Sequence, residues 1–378
     1  MKFSRRLVLY SVLALSGALT FRSVLAGPRP AEQTSTERAL KSFAALEPID
    51  VHVHVFKTDP AFQALLERLH LTLLNILVVD DTLSYQKQLE PQMADALALV
   101  RSSHGHVALC TTFDPYKFND ASFVSETIEQ LDQNFDQGAI AVKLWKNVGM
   151  EIKNRSGKFV MPDDPKFEPI YKEIAKHGKT LMTHVADPDV AWEPPDPSDP
   201  WPEYKEIPQQ FLYNKPGFPA KKTILDARDR ILASNPQLRM VGVHLGSMEQ
   251  DLDGITNHLD RYPNFAVDTA WRMEYLMAAP SDKVRAFLIK YQDRVLYGTD
   301  LQLLATANVE ETLKDWQSTY SRDWKFFATD ETFEQNGKKV QGLKLPEPVL
   351  RKIFRSNALC WIPGSGGPNP AGSTGRKC

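Results

Sequence analysis

Cysteine is nearly missing from this chain. Its three copies in 378 residues, Cys110, Cys360 and Cys378, are too few and too widely spaced for a disulfide framework and leave room for one bridge at most. A surplus of basic charge is missing as well. Forty-five Lys and Arg stand against 47 Asp and Glu, a net charge of -2, so no basic face is on offer to a nucleic acid. No apolar run approaches the roughly 20 residues that cross a bilayer; the N-terminal candidate, Leu7 to Leu19, is broken by Ser11, Ser16 and Gly17. Nor does a Gly-x-Gly-x-x-Gly follow the first apolar run of the body, which argues against an open sheet built around a dinucleotide.

What is present is ordinary globular composition, 42% hydrophobic and 24% charged, with ample material for a core. The first 26 residues read as an export signal. Lys2, Arg5 and Arg6 precede the apolar stretch, and Val24-Leu25-Ala26 before Gly27 fits a cleavage site. Ser4-Arg5-Arg6-Leu7 also resembles a twin-arginine signal, and the ordinary secretory kind stays open beside it. The expected mature protein is therefore periplasmic or secreted, with no stable membrane anchor. Residues 27–46 read as a polar linker, 47–362 as one domain, and 363–378 as a flexible Gly/Pro/Ser tail.

Within the domain, eight apolar runs recur: Ile49–Phe56, Leu73–Val79, Val107–Phe113, Ile140–Trp145, Thr180–Ala186, Met240–Leu245, Phe265–Ala270 and Val295–Gly298. Several are near-continuous rather than alternating, as strands buried on both faces are. Helical spacing lies between them, over 122–135, 167–176, 222–233 and 282–291, with further helices expected at 309–320 and 347–358. Strands alternating with helices predict a parallel sheet, and eight such units close into a (β/α)8 TIM barrel, α/β in class. Two connections are long. Asp187–Lys222, after the fifth strand, holds nine prolines and six Trp, Tyr and Phe side chains, and reads as an ordered lid; Gln302–Pro346 follows the eighth strand.

The first run carries Asp50-Val51-His52-Val53-His54. On a strand, residues two apart face the same way, so His52 and His54 can share a divalent cation. Other candidate ligands fall at later strand ends: His184 after the fifth, His244 after the sixth, Asp300 after the eighth. Barrel enzymes keep their catalysts at that end, and imidazole with carboxylate suits a divalent metal, zinc above all. Lys143 ends the fourth strand. Arg272, beyond the seventh, could grip a carboxylate or form a surface ion pair. Trp145, Lys146 and Asn147 could line a pocket. Glu249 and Asp251 could orient His244 or open a helix, and Asp50 could support the first ligand. His70, His104, His106, His177 and His258 read as structural or surface residues.

The ordered pieces DVHVHV (50–55), AVKLW (141–145), THVADP (183–188), VGVHLGS (241–247), LYGTD (296–300) and IFRSNALCW (353–361) resemble the amidohydrolase superfamily of metal-dependent barrels. Within it, they look most like the amidohydrolase-related branch that includes aminocarboxymuconate semialdehyde decarboxylase. The resemblance covers most of residues 47–362. It implies that His52, His54 and His184 bind the metal, that Asp300 is a ligand, a proton acceptor or both, and that His244 is either a ligand to a second metal or the polarising acid/base beside the first, the latter in the branch these pieces look most like. For Lys143 it leaves three roles: a carboxylated bridge between two metals, a seat for a substrate carboxylate, or structural pairing. The implied chemistry is hydrolysis of an amide, lactone or ester in a small-molecule substrate by a metal-activated water. Decarboxylation on the same barrel is the runner-up. A barrel that merely binds a ligand is a third reading, against which the retention of all five candidates argues. Association into a homo-oligomer is left open.

Overall fold

A computed structural model describes residues 30–79, 88–194, 196, 212–213 and 215–367, with side chains from residue 35 onward. The export signal, most of the expected lid and all but the start of the tail lie outside the described residues.

Nine parallel strands form one sheet: β1 (Ile49–Val55), β2 (Thr72–Ile76), β3 (Val107–Thr112), β4 (Ala139–Leu144), β5 (Thr180–Thr183), β6 (Arg239–Gly242), β7 (Phe265–Asp268), β8 (Val295–Leu296) and β9 (Leu301–Leu303). Their order is β8-β7-β6-β5-β4-β3-β2-β1-β9. The last two are halves of one broken strand: β8 pairs with β7 and β9 with β1. The break is where Asp300 takes a left-handed backbone, φ 66°. Across it, Val51 N donates to Tyr297 O at 3.0 Å and Asp300 N to His52 O at 2.7 Å, which ties the two ends of the sheet into a barrel.

All seven residues of β1 are buried, and β2, β3 and β4 are nearly as enclosed. That double-sided burial is why their sequences are continuous apolar runs. A larger core fills the space between strands and helices. A smaller one fills the barrel, with Ile49, Val51, Ile76, Cys110, Ala141, Met182, Val241, Ala266 and Leu296 pointing inward. Trp361 and Ile362, from the end of the last helical segment, join this inner cluster.

In β1 the register shifts between Asp50 and Val53. Val51 belongs to the inner cluster, whereas Val53 and Val55 belong to the outer one. A bulge therefore sets Val51 and His52 on the same side, and it aims the two histidines into the barrel mouth.

Three expectations change. Residues 27–46 are not simply a linker, since Pro30–Ala44 is helical. Leu40, Phe43 and Ala44, at helical spacing, are buried, and the Phe43 ring stacks on Tyr320 at 5.1 Å. The helix after β9 runs further than expected, over Val309–Ala328. An antiparallel hairpin follows, β10 (Thr332–Gln335) and β11 (Lys338–Gln341), turning at Asn336-Gly337 with φ of 49° and 72°, the residue pair that such a two-residue turn favours. Among the described residues no helix is long and apolar enough to cross a membrane.

Candidate metal centre

Side chains two residues beyond the inner core layer form the floor of the mouth. Above Ala141 stands Lys143, above Met182 stands His184, and above Ala266 stands Asp268. His52 and His54 arrive through the bulge, and Asp300 through the break between β8 and β9.

The donor atoms of His52, His54 and Asp300 lie within 4.8 Å of one another. His54 Nε2 is 3.0 Å and His52 Nε2 3.6 Å from Asp300 Oδ1. The far nitrogen of each ring fixes its orientation. His54 Nδ1 lies 2.9 Å from Ile76 O, and a carbonyl only accepts, so Nδ1 carries a hydrogen and Nε2 is the atom turned to Asp300. His244 Nδ1 sits in the same way 2.9 Å from Ala270 O. His52 Nδ1 faces Asp268 Oδ2 at 3.0 Å, and its Nε2 lies 3.1 Å from Lys143 Nζ, an ammonium that can only donate. Three imidazoles thus turn their Nε2 atoms towards the cluster around Asp300, each oriented from behind as metal-binding histidines are.

His184 stands at the edge of this group. Its ring centroid is 4.3 Å from that of His244, and among the described residues neither ring nitrogen has a hydrogen-bond partner although both are buried. A buried nitrogen without a partner is costly unless something else binds it. Buried orphan nitrogens, bare lone pairs and a carboxylate together fit a divalent cation.

Charge follows the geometry. Burial holds the imidazoles of His52, His184 and His244 well below 6.5, hence neutral. Burial lowers Lys143 to about 8 against the pull of Asp300 and Asp268. Burial raises Asp268 to about 7. Burial pushes Asp300 up too, but the neighbouring His52, His54 and Lys143 outweigh it and hold the carboxyl at about 2.

His244 is carried by a strained turn. From His244 to Ser247 four successive residues have φ of 57°, 55°, 67° and 59°. Left-handed backbone costs roughly 1–2 kcal/mol for each non-glycine residue, so the turn survives only because its surroundings hold it. His244 N donates to Asp268 Oδ1 at 2.7 Å, and Gly246 O accepts from Arg228 Nη1 at 2.6 Å. His244 Nε2 ends 3.9 Å from Asp300 Oδ2.

The weaker candidates separate. Trp145 lines the mouth, with its ring 5.7 Å from His54 and 6.2 Å from His184 and its Nε1 on Leu77 O at 3.1 Å. Lys146 pairs with Asp187. Asn147 donates to Val79 O at 3.4 Å. Arg272 is buried rather than on the surface, 3.5 Å from Glu249 Oε2. Glu249 does not touch His244; it accepts from Asp189 N at 2.9 Å and faces Lys221 at 3.4 Å. Asp251 caps the Leu252–Arg261 helix through Gly254 N. Asp50 reaches Thr299 Oγ1 at 2.6 Å and Tyr320 OH at 3.1 Å and accepts from His52 N at 3.1 Å, so it braces the β1–Thr299 junction and supports the first ligand through its backbone, not its ring. The residue that braces the His52 ring, and holds the backbone N of His244, is Asp268, which was not singled out in the sequence. Its signal was there: it stands two residues beyond an inward-facing Ala266, at a strand end.

The fold and this cluster define an α/β barrel with a candidate metal centre in its mouth. The chain belongs to the amidohydrolase family, whose model matches residues 49–361. No functionally curated protein sequence matches it. Among solved structures it is similar to 2,6-dihydroxybenzoate decarboxylase from Rhizobium, at 15% identity and a TM-score of 0.50 over 82% of this chain and 97% of the other. An uncharacterised TIM-barrel protein from Bordetella bronchiseptica gives 15% identity and a TM-score of 0.46 over 82% and 96%. A 5-carboxyvanillate decarboxylase from Sphingomonas paucimobilis gives 14% and 0.43 over 83% and 98%. At these identities the likeness is one of fold.

Proposed function

We propose that the protein is a metal-dependent hydrolase acting on an ester, lactone or amide of a small organic molecule. The carrying observation is the set of three imidazoles whose Nδ1 atoms are each anchored from behind, so that their Nε2 atoms gather around Asp300. His52, His54 and Asp300 would hold the cation, with His184 beside them. A bound divalent cation, zinc as first choice, would supply Lewis acidity and lower the pKa of a water.

The chain's own residues supply the rest. Asp300 offers Oδ1 to the cluster and turns Oδ2 towards His244, so it can take the proton of the attacking water. His244 enters neutral with Nε2 bare. Its part is therefore to receive that proton and return it to the leaving group, rather than to polarise the carbonyl as a standing acid. Trp145 offers an apolar wall against which a substrate can lie.

One observation favours a second reading, decarboxylation. Lys143 is a buried cation whose Nζ, among the described residues, has His52 as its hydrogen-bonding neighbour and no carboxylate within ion-pair distance. Such a cation can seat a substrate carboxylate. A panel of esters, lactones, amides and aromatic acids assayed in 18O-labelled water separates the two. Label in the organic product supports hydrolysis; carbon dioxide release with no label in the organic product selects decarboxylation. Purified protein without stoichiometric metal, together with a His52→Ala variant of unchanged activity, would remove both.

A further inference from the structure

Arg228 touches none of the groups assigned a chemical role, yet it is fully buried. It projects from the Lys221–Ser234 helix outside the barrel wall. Its Nη1 donates to the Gly246 carbonyl at 2.6 Å; Nη2 and Nε donate to Asp229 Oδ1 at 2.9 and 3.2 Å. The guanidinium lies 4.9 Å over the Phe265 ring. Asp229 is in turn held by His258 Nε2 at 2.9 Å. A charge has been sunk into the core, with its counter-ion locked behind it, and it reaches one backbone carbonyl in the turn that carries His244.

That turn has two ends. At its start, Asp268 holds His244 N and the Ala270 carbonyl holds His244 Nδ1. At its far end, the side-chain hydrogen bond among the described residues comes from Arg228. The space is closed as well: a Cβ on Gly246 would lie 3.2 Å from Phe265 Cζ and 3.3 Å from Arg228 Nη1.

We infer that Arg228 is a positioning residue: its grip on the Gly246 carbonyl holds the left-handed turn that presents His244, and thereby fixes which nitrogen of His244 is bare. Without that grip the carbonyl is buried and unpaired, the strained turn relaxes, and the ring moves off Ala270 O. The catalytic consequence rests on the reading of His244 as the proton-relaying residue; the structural consequence does not.

The test is histidine side-chain 15N–1H spectroscopy on the purified full-length chain, with signals of His244 identified by their loss in H244Q. Wild type should show a fixed Nδ1–H pattern for His244. In R228M the two nitrogens should move towards an averaged pattern, while His54, anchored on Ile76 O, does not change. Turnover should fall by up to roughly 100-fold with little change in KM, as expected when a reacting group is misplaced. R228K keeps the charge but cannot hold Asp229 with two nitrogens and Gly246 with a third, so it should fall between, and it serves if R228M is not recovered folded. An unchanged His244 pattern in the folded variant overturns the inference, even if the melting temperature drops, because a purely structural arginine would lower stability alone. If H244Q turns over as fast as wild type, the functional reading of His244 fails while the spectra still judge Arg228.

Discussion

Replacing Asp268 with Asn removes one charge and almost no volume, yet the structure predicts a large loss of metal affinity. Asp268 Oδ1 accepts from two backbone donors, His244 N at 2.7 Å and Ala270 N at 3.1 Å. Oδ2 accepts from His52 Nδ1 at 3.0 Å. An asparagine has one accepting atom and one donating group. The two backbone N–H groups cannot accept, so the amide oxygen must stay with them and the NH2 must face His52 Nδ1. His52 then bonds well only in its other tautomer, with Nδ1 bare and the hydrogen on Nε2, the atom that should bind the cation. Disturbing such a supporting contact costs about 10- to 100-fold in metal affinity, or about 1.4–2.8 kcal/mol. Zinc titration by calorimetry on metal-stripped wild type and D268N measures it directly. Equal affinity for the two proteins would refute the tautomer argument, because nothing else in the exchange preserves a bare Nε2 on His52.

Three further outcomes follow from the same coordinates. Protons compete with metal for bare nitrogens, and burial holds His52, His184 and His244 below the ordinary range. Metal content measured after dialysis should accordingly persist as pH falls through about 6.5, the value of an unperturbed histidine, and loss of half the metal by that point would contradict it. Gly242→Ala places a Cβ 2.6 Å from Phe265 Cζ. Overpacking of that kind costs about 1–3 kcal/mol, so the melting temperature should fall while the strand content seen by circular dichroism is kept. Trp361→Ala empties the lower end of the barrel and should cost about 3–5 kcal/mol, read as a lower denaturant midpoint; an unchanged midpoint would mean that the tryptophan is not part of the barrel core.

Strands were readable in the sequence because burial on both faces leaves no polar alternation to confuse the pattern. The ligand candidates were readable because imidazoles are few and stand at strand ends. Much of what escaped reading depends on departures from regular backbone. The bulge that puts Val51 and His52 on one side breaks the period of two. The break at Asp300 looks like a loop and is in fact the seam of the barrel. His244 rides on a left-handed turn that no periodicity announces, and Asp268, which supports both His52 and that turn, resembles any acid after an apolar run. The Pro30–Ala44 helix was hidden by its polar first half, though Leu40, Phe43 and Ala44 carried the right spacing.

The seam has a consequence for how the chain comes to its final form. Thr299 meets Asp50 from 249 positions away, and the inner core is completed only by Trp361 and Ile362. Contacts so distant in sequence are closed late and slowly. Until they close, the inward faces of the earlier strands form an open trough lined with valine, isoleucine and methionine. The protein's exposure to aggregation is therefore concentrated before its last helix docks, and a truncation only a few residues short of Trp361 would leave the inner core without its final cover.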